Sequence, residues 1–247
     1  SPSMASEFPW MAYQQTPRTH TMLRVGGLTP LSTTDWPGML AAVVFCQGCP
    51  WRCGYCHNPG LIPARGDNEI PWEDVLAFLH RRQGLLDGVV FSGGEPTSQV
   101  ELAEAMREVR ALGFKIGLHT GGAYPRRLQE VLPLVDWVGL DAKAPFADYP
   151  RITGIDGSGA RALSSLEHVL ASGVEHEIRT TVHPALLADA EVVDLARDLS
   201  TRGVKRHVIQ AFRSQGCGNT SLVQDAQRTT PLSGLIAEVA SQFHSEP

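Results

Sequence analysis

The sequence predicts an α/β fold of the partial-barrel kind, a TIM-like (β/α)6 arrangement of parallel strands. Three observations predict it. Short apolar runs of strand length alternate with segments of helical spacing along most of the chain. Residues able to do chemistry stand just after those runs, at the C-terminal strand ends where such folds gather function. The 247 residues are 43% hydrophobic, enough for one barrel-sized core, and no repeat, low-complexity tract or internal linker divides them.

Residues 1–21 read as a flexible leader. They are polar and show no period, and Pro9 and Pro17 oppose regular structure around Trp10 and Tyr13. Residues 22–247 read as a single domain. Ordered pattern begins near Leu23–Leu28, and Thr29–Gly38 is a turn-rich approach. Leu40–Phe45 is a continuous apolar run of the sort that forms a buried parallel strand. Pro71–Arg82 has helical spacing at Val75, Leu76, Phe78 and Leu79, with Pro71 suited to a first turn. Gly88–Phe91 is the second strand. Ser98 and Glu101 predict a capping box for a helix that stops at Gly113. Lys115–His119 is a strand and Tyr124–Leu132 a helix; Trp137–Asp141 is the fourth strand. A loop through Pro145, Pro150 and Gly154 leads to a helix over Ala160–Ser172. Strand His176–Val182, helix Ala190–Arg202, strand Arg206–Ala211 and a helical tail from Pro231 to His244 complete six strands.

Composition narrows the function. Lys and Arg number 21 against 26 Asp and Glu, a net charge of −5. No basic patch or charge block points to nucleic acid or to an anionic membrane. No apolar run approaches the ~18 residues of a membrane span, and the start lacks the apolar centre of a secretory signal. Four of five cysteines are packed into one short stretch, which fits a reducing, cytoplasmic setting better than a disulfide framework. Cys217 stands apart and reads as a surface or packing thiol.

That stretch is Cys46-Gln47-Gly48-Cys49-Pro50-Trp51-Arg52-Cys53-Gly54-Tyr55-Cys56-His57-Asn58-Pro59. One parse pairs Cys46/Cys49 with Cys53/Cys56 as a four-cysteine zinc-binding interaction module. Structural zinc usually separates two such pairs by a dozen or more residues, and three residues leave little room for the chain to fold back. The other parse is Cys49-x3-Cys53-x2-Cys56, with Cys46 left over. Three thiolates can hold three irons of a [4Fe–4S] cube and leave the fourth iron open, whereas ferredoxins supply four thiolates.

With Tyr55 before its last cysteine, this stretch resembles the radical S-adenosylmethionine superfamily, and Ser92-Gly93-Gly94-Glu95-Pro96 resembles that superfamily's GGE motif. The resemblance implies a [4Fe–4S] cluster on Cys49, Cys53 and Cys56, and S-adenosyl-L-methionine as the second cofactor. It implies that Gly93 and Gly94 meet the amino end of that cofactor; Glu95 reads as a residue that stabilises the turn. Asp141-Ala142-Lys143 is similar to the D-x-K segment of glycyl-radical-enzyme activases, in which the lysine offers an ammonium to the cofactor carboxylate. Read without the resemblance, Asp141 and Lys143 are an exposed ion pair at a strand end. Tyr55 and the backbone of His57 complete the implied cofactor contacts. His119-Thr120 falls where some activases bind a cation through Asp-Thr, and the histidine departs from that pattern. Arg213 stands in place of a cofactor-contacting histidine. Arg179 reads either as the ion-pair partner of Glu177 or as a ligand contact.

Within the superfamily, Leu28-Thr29-Pro30, Asp35-Trp36-Pro37-Gly38 and Cys56-His57-Asn58-Pro59 resemble the activating proteins of anaerobic ribonucleoside-triphosphate reductases. This implies an enzyme that cleaves S-adenosylmethionine reductively and generates a glycyl radical on a partner, anaerobic ribonucleotide reductase, with flavodoxin or ferredoxin as electron donor. A rival inside the superfamily is an enzyme of the carboxy-deazaguanine synthase type, acting on a small molecule. Six strands are too few to close a barrel, so a lateral opening rimmed by Thr29–Gly38 and Phe146–Gly159 is expected to admit the substrate.

Overall fold

The computed structural model describes residues 22–226 and 232–243, so the predicted leader over 1–21 lies outside the described residues. Seven strands form one sheet in sequential order: β1 (Val25–Ser32), β2 (Ala41–Cys46), β3 (Gly88–Gly93), β4 (Lys115–Thr120), β5 (Trp137–Asp141), β6 (Glu175–Val182) and β7 (His207–Ala211). Strands β2 to β7 are the six predicted ones, and each pairs with the next in parallel. The helices are α1 (Trp72–His80), α2 (Leu102–Ala111), α3 (Pro125–Val131), α4 (Tyr149–Thr153), α5 (Ser158–Ser172), α6 (Asp189–Thr201), α7 (Thr220–Ala226) and α8 (Ser233–Ser241). In this sheet β1 and β7 are the two edges, so the barrel stays open along one side.

The seventh strand corrects the expectation of six. β1 runs antiparallel to β2 and extends into the segment read as a turn-rich approach. Pro30 did not end it, because the register slips between Thr29 and Ser32 and an edge strand tolerates a missing N–H at such a bulge. Two further expectations change. Ser98 is not a helix cap: Pro96–Ser98 forms a 3-10 turn whose cap is the Glu95 side chain, accepting from Thr97 N–H at 3.1 Å. Gln99 is then extended, its amide bonded to Arg24 and Gln47, and α2 starts only at Leu102. The loop after β5 contains α4, with Pro150 in its first turn and Gly154 as a left-handed C-cap at φ +69°. Those two residues read as breakers are the helix's own start and stop signals.

Strand alternation sorts the side chains. Ala42, Val44 and Cys46 of β2, Val89 and Phe91 of β3, Ile116 and Leu118 of β4, Val138 and Leu140 of β5 and Ile178 of β6 face the helices in one buried cluster. The opposite parity faces the barrel interior. There Ala41, Val43, Val90 and Trp137 enclose Trp36, which the β1–β2 connection inserts as a plug and which stacks on Trp137 at 5.8 Å. Glycines make room for it: a Cβ on Gly88 or on Gly117 would lie 2.9 Å from the Trp36 ring. Gly117→Ala is expected to destabilise the fold by about 1–3 kcal/mol in urea unfolding, the usual cost of an overpacked core. In a Trp36→Leu background the cost should shrink; an equal cost in both backgrounds would show that the ring is not the obstacle.

Candidate cofactor site

The cysteine loop leaves β2 and is clamped to the end of β3 by backbone. Gly94 N–H donates to Cys46 C=O at 2.9 Å and Glu95 N–H to Gly48 C=O at 2.8 Å. Gly93 has φ +108°, and a Cβ there would lie 2.5 Å from Cys46 N; on Gly94 it would lie 2.4 Å from Gly48 O. The close approach expected at Gly93-Gly94 is therefore made by the cysteine loop itself. Glu95 is buried, and its carboxylate accepts from Thr97 Oγ1 at 2.6 Å, Thr120 Oγ1 at 2.7 Å and Gly121 N–H at 2.9 Å. It ties the loop's anchor to the end of β4, which agrees with its reading as a turn stabiliser.

The five cysteines are free thiols. Cys46 is fully buried under the helices with Ala42 and Val44, and burial pushes its thiol pKa up. Cys49, Cys53 and Cys56 lie in the half-exposed loop. Burial, then Glu95, raises the Cys49 thiol to about 12, with Trp51 N–H and Lys143 acting in the opposite sense. Burial likewise raises Cys53, whose charged and thiol neighbours are Lys143, Cys56 and Asp141. Among the described residues no three His, Cys, Asp or Glu side chains are gathered around a point for one metal ion. A cube takes one thiolate per iron and does not need that convergence; a zinc tetrahedron does, and Cys46 faces away from it.

Asp141 and Lys143 stand across from these thiols. Lys143 Nζ is 3.1 Å from Asp141 Oδ2, and its side chain is only 12% exposed. The pair is thus not the exposed one that a strand-end reading gives. Lys143 Nζ lies 5.6 Å from the Tyr55 ring centroid and 6.0 Å from that of Trp51. Burial opposes its charge, but Tyr55, Asp141 and Cys53 hold its pKa well above the ordinary value. Asp141 has a second cation on its other side: Arg179 Nη2 is 3.0 Å from Oδ1. Burial alone would raise the Asp141 pKa, yet Lys143 and Arg179 bring it down to about 2, so the carboxylate is ionised throughout the neutral range. Two positive groups flank one negative one.

Arg179 does not pair with Glu177, which binds Arg206 at 3.2 Å instead. The β5–β6 register sets Asp141 beside Arg179, and Gly139 gives the guanidinium its space, since a Cβ there would lie 2.8 Å from Arg179 Cζ. His119 Nε2 is 2.7 Å from Asp35 O and 3.1 Å from Arg179 Nη1, and burial and then Arg179 lower its pKa to about 4. Its ring is neutral and binds the loop that carries Trp36. Ala142 is buried, its N–H donating to Arg179 C=O at 2.8 Å and its C=O accepting from Thr180 Oγ1 at 2.6 Å. His57 stacks on Phe212 at 5.5 Å, while Arg213 is exposed to solvent. Cys217 Sγ lies 3.8 Å from Gly54 C=O, against the cysteine loop.

Two polar atoms at this site, Trp51 Nε1 and His57 Nε2, are buried with no hydrogen-bond partner among the described residues. Three thiols, a surplus cation and these two idle nitrogens fit a polar cofactor that presents a carboxylate beside an iron–sulfur cluster. Sequence reasoning did not single out Trp51, Tyr149 or Gly139. The only available signals were an aromatic between cysteines, a tyrosine two residues past a helix-compatible Phe-Ala, and a glycine inside a strand.

Residues 43–209, more than half of the chain, match the radical SAM superfamily. The pyruvate formate-lyase-activating enzyme of Clostridium pasteurianum is 34% identical over 176 residues, covering 69% of this chain and 73% of that protein. The pyruvate formate-lyase 1-activating enzyme of Escherichia coli K12 is 30% identical over 170 residues, covering 65% and 68%. Among solved structures, Streptococcus suis SuiB bound to precursor peptide SuiA aligns with a TM-score of 0.61 at 15% identity, over 79% of this chain and 43% of that one. A second, anSMEcpe with bound AdoMet, aligns with a TM-score of 0.56 at 20% identity, over 68% and 49%. At such identities, and with under half of each structure spanned, these two speak for the fold alone. The chain belongs to the radical S-adenosylmethionine superfamily, in the branch that contains these activating enzymes.

Proposed function

We propose that this chain activates a glycyl-radical enzyme, with Cys49, Cys53 and Cys56 as the protein ligands of a [4Fe–4S] cluster and Cys46 outside the set. The observation that carries the reading is the meeting of three free thiols in one loop with the Lys143–Asp141–Arg179 charge group. When bound and reduced, the cluster supplies the electron that cleaves S-adenosyl-L-methionine. The chain's own residues bind and orient. Lys143 offers its ammonium to the cofactor carboxylate, and Asp141, held ionised, aims that ammonium and accepts from the cofactor's amino group. Gly93 and Gly94 fix the backbone beside that amino end. Ala142 keeps Asp141 and Lys143 in register, Tyr55 and Trp51 exclude water, and the His57 backbone borders the adenine.

The partner is anaerobic ribonucleotide reductase in this reading, supported by Asp35-Trp36-Pro37-Gly38 and Cys56-His57-Asn58-Pro59. Its glycine-bearing loop enters through the open side between β1 and β7 toward the C-terminal strand ends, where Phe146–Gly159 borders the cysteine loop. Thr29–Gly38, expected as the other rim, instead forms the end of β1 and the Trp36 plug at the opposite end of the strands. Flavodoxin or ferredoxin donates the electron, in a cytoplasmic setting. Described helices include none long and apolar enough to cross a membrane. Anaerobic incubation with dithionite, S-adenosylmethionine and candidate glycyl-radical enzymes, read by EPR, tests this function. A stable glycyl radical on the reductase supports it. Multiple turnover of a free small molecule without any partner would instead favour the carboxy-deazaguanine synthase type.

Two substitution experiments follow from the residue assignments. Replacing Cys49, Cys53 or Cys56 by Ala should abolish the absorbance near ~400 nm after iron–sulfide reconstitution, because each removes one of three protein ligands. Cys46→Ala should keep that absorbance; its loss would overturn the parse. Lys143→Ala should weaken S-adenosylmethionine binding by about 1.5–3 kcal/mol with a normal cluster spectrum, and unchanged affinity in calorimetry would reduce Lys143 to a structural ion pair.

A further inference from the structure

The helix α4 bonds to both halves of the site. At its C-terminal end, Thr153 C=O accepts from Arg52 N–H at 2.8 Å, in the middle of the cysteine loop. At its N-terminal end, the Tyr149 hydroxyl accepts from Lys143 N–H at 3.0 Å and donates to Asp141 C=O at 3.3 Å. Those two backbone groups need a partner there. The β4–β5 ladder ends at Thr120–Leu140, one residue short of Asp141. The Tyr149 hydroxyl takes over where β4 stops.

The tyrosine is itself fixed. It is fully buried, stacks on Phe146 at 5.7 Å, and meets the Trp51 ring edge-on at 5.9 Å. Trp51 lies between Cys49 and Cys53, and the Lys143 ammonium lies over Trp51 and Tyr55. One ring thus touches the wall of the cysteine loop, and its hydroxyl holds the turn that launches Lys143. Capture of a carboxylate by a single ammonium is sensitive to displacements of about 1 Å. We propose that Tyr149 is a positioning residue for the reaction, which sets the distance between Lys143 and the cysteine loop through its hydroxyl. The proposal rests on the reading that Lys143 holds the cofactor carboxylate.

The test uses the reconstituted full chain as wild type, Tyr149→Phe, Lys143→Ala and the double variant. It measures S-adenosylmethionine affinity by anaerobic calorimetry and amide hydrogen exchange without added cofactor. Tyr149→Phe keeps the ring and leaves two backbone groups unpaired, so binding is expected to weaken about tenfold with unchanged cluster absorbance. The Lys143 amide should exchange faster while the Arg52 amide, bonded to Thr153, keeps its protection. The double variant should bind no worse than Lys143→Ala, because Tyr149 acts through Lys143. If Tyr149→Phe does not fold, Phe146→Leu removes the ring stacked on Tyr149 and keeps the hydroxyl. Weaker binding together with faster Lys143 exchange then supports the proposal, and either change alone overturns it. Full affinity in Tyr149→Phe, or additive losses in the double variant, overturns the proposal while Lys143→Ala still weakens binding. Full affinity in Lys143→Ala overturns the underlying reading instead.

Discussion

The site depends first on a backbone contact that only glycine permits. Gly93 and Gly94 bring the end of β3 so close to Cys46 and Gly48 that no Cβ fits, and the backbone bonds Gly94–Cys46 and Glu95–Gly48 follow from that closeness. The Glu95 carboxyl group then reaches Thr97, Thr120 and Gly121, so one buried side chain fastens the 3-10 turn and the end of β4 to the same anchor. A loop rich in thiols is thereby held on the mouth of a rigid sheet, and its position is decided by strand ends rather than by the loop's own sequence. Pre-organisation of this kind is what a site needs when a cofactor, not a side chain, carries the chemistry.

The second constraint is charge. Asp141 lies between Lys143 and Arg179, which are nearly buried, and its low pKa follows from that flanking. Three groups with a surplus positive charge are stable in a partly dry mouth only where an anion completes them or where solvent reaches the carboxylate, and Asp141 does keep about a third of its surface, 36%. Neutral His119 adds nothing to the count but fastens the Trp36 loop below. The plug beneath the site and the charges at its mouth are therefore connected through one imidazole and one guanidinium.

Much of this was legible in the sequence, for physical reasons that differ by element. The six parallel strands announce themselves by short strand-length runs between segments of helical spacing, and the Cys49-x3-Cys53-x2-Cys56 parse left Cys46 over; the structure buries it under the helices with Ala42 and Val44. The cysteine spacing and the Asp-x-Lys segment are local patterns, so they survive translation into structure unchanged. What was hidden is non-local. The partner of Arg179 comes from the β5–β6 register, so the nearer Glu177 was the wrong neighbour to consider. Gly88, Gly117 and Gly139 look like ordinary strand glycines until Trp36 and Arg179 are known to fill the space above them. α4 was masked by Pro150 and Gly154, which act as boundaries of a short helix and not as breakers of a long one. Ser98 failed as a cap because Glu95 and Gln99 had already committed the local backbone to other partners.

The central claim is that the amino and carboxylate end of S-adenosylmethionine sits between the cysteine loop and the Asp141–Lys143 turn, against the cluster. Electron–nuclear double resonance on the reduced, reconstituted protein measures this directly, with the cofactor labelled by 15N at the amino group and 17O at the carboxylate. Both labels should show strong hyperfine coupling to the cluster, as expected for direct contact with an iron that lacks a protein thiolate. A cofactor that binds by calorimetry yet shows coupling from neither label would contradict the account, because it would lie elsewhere in the barrel.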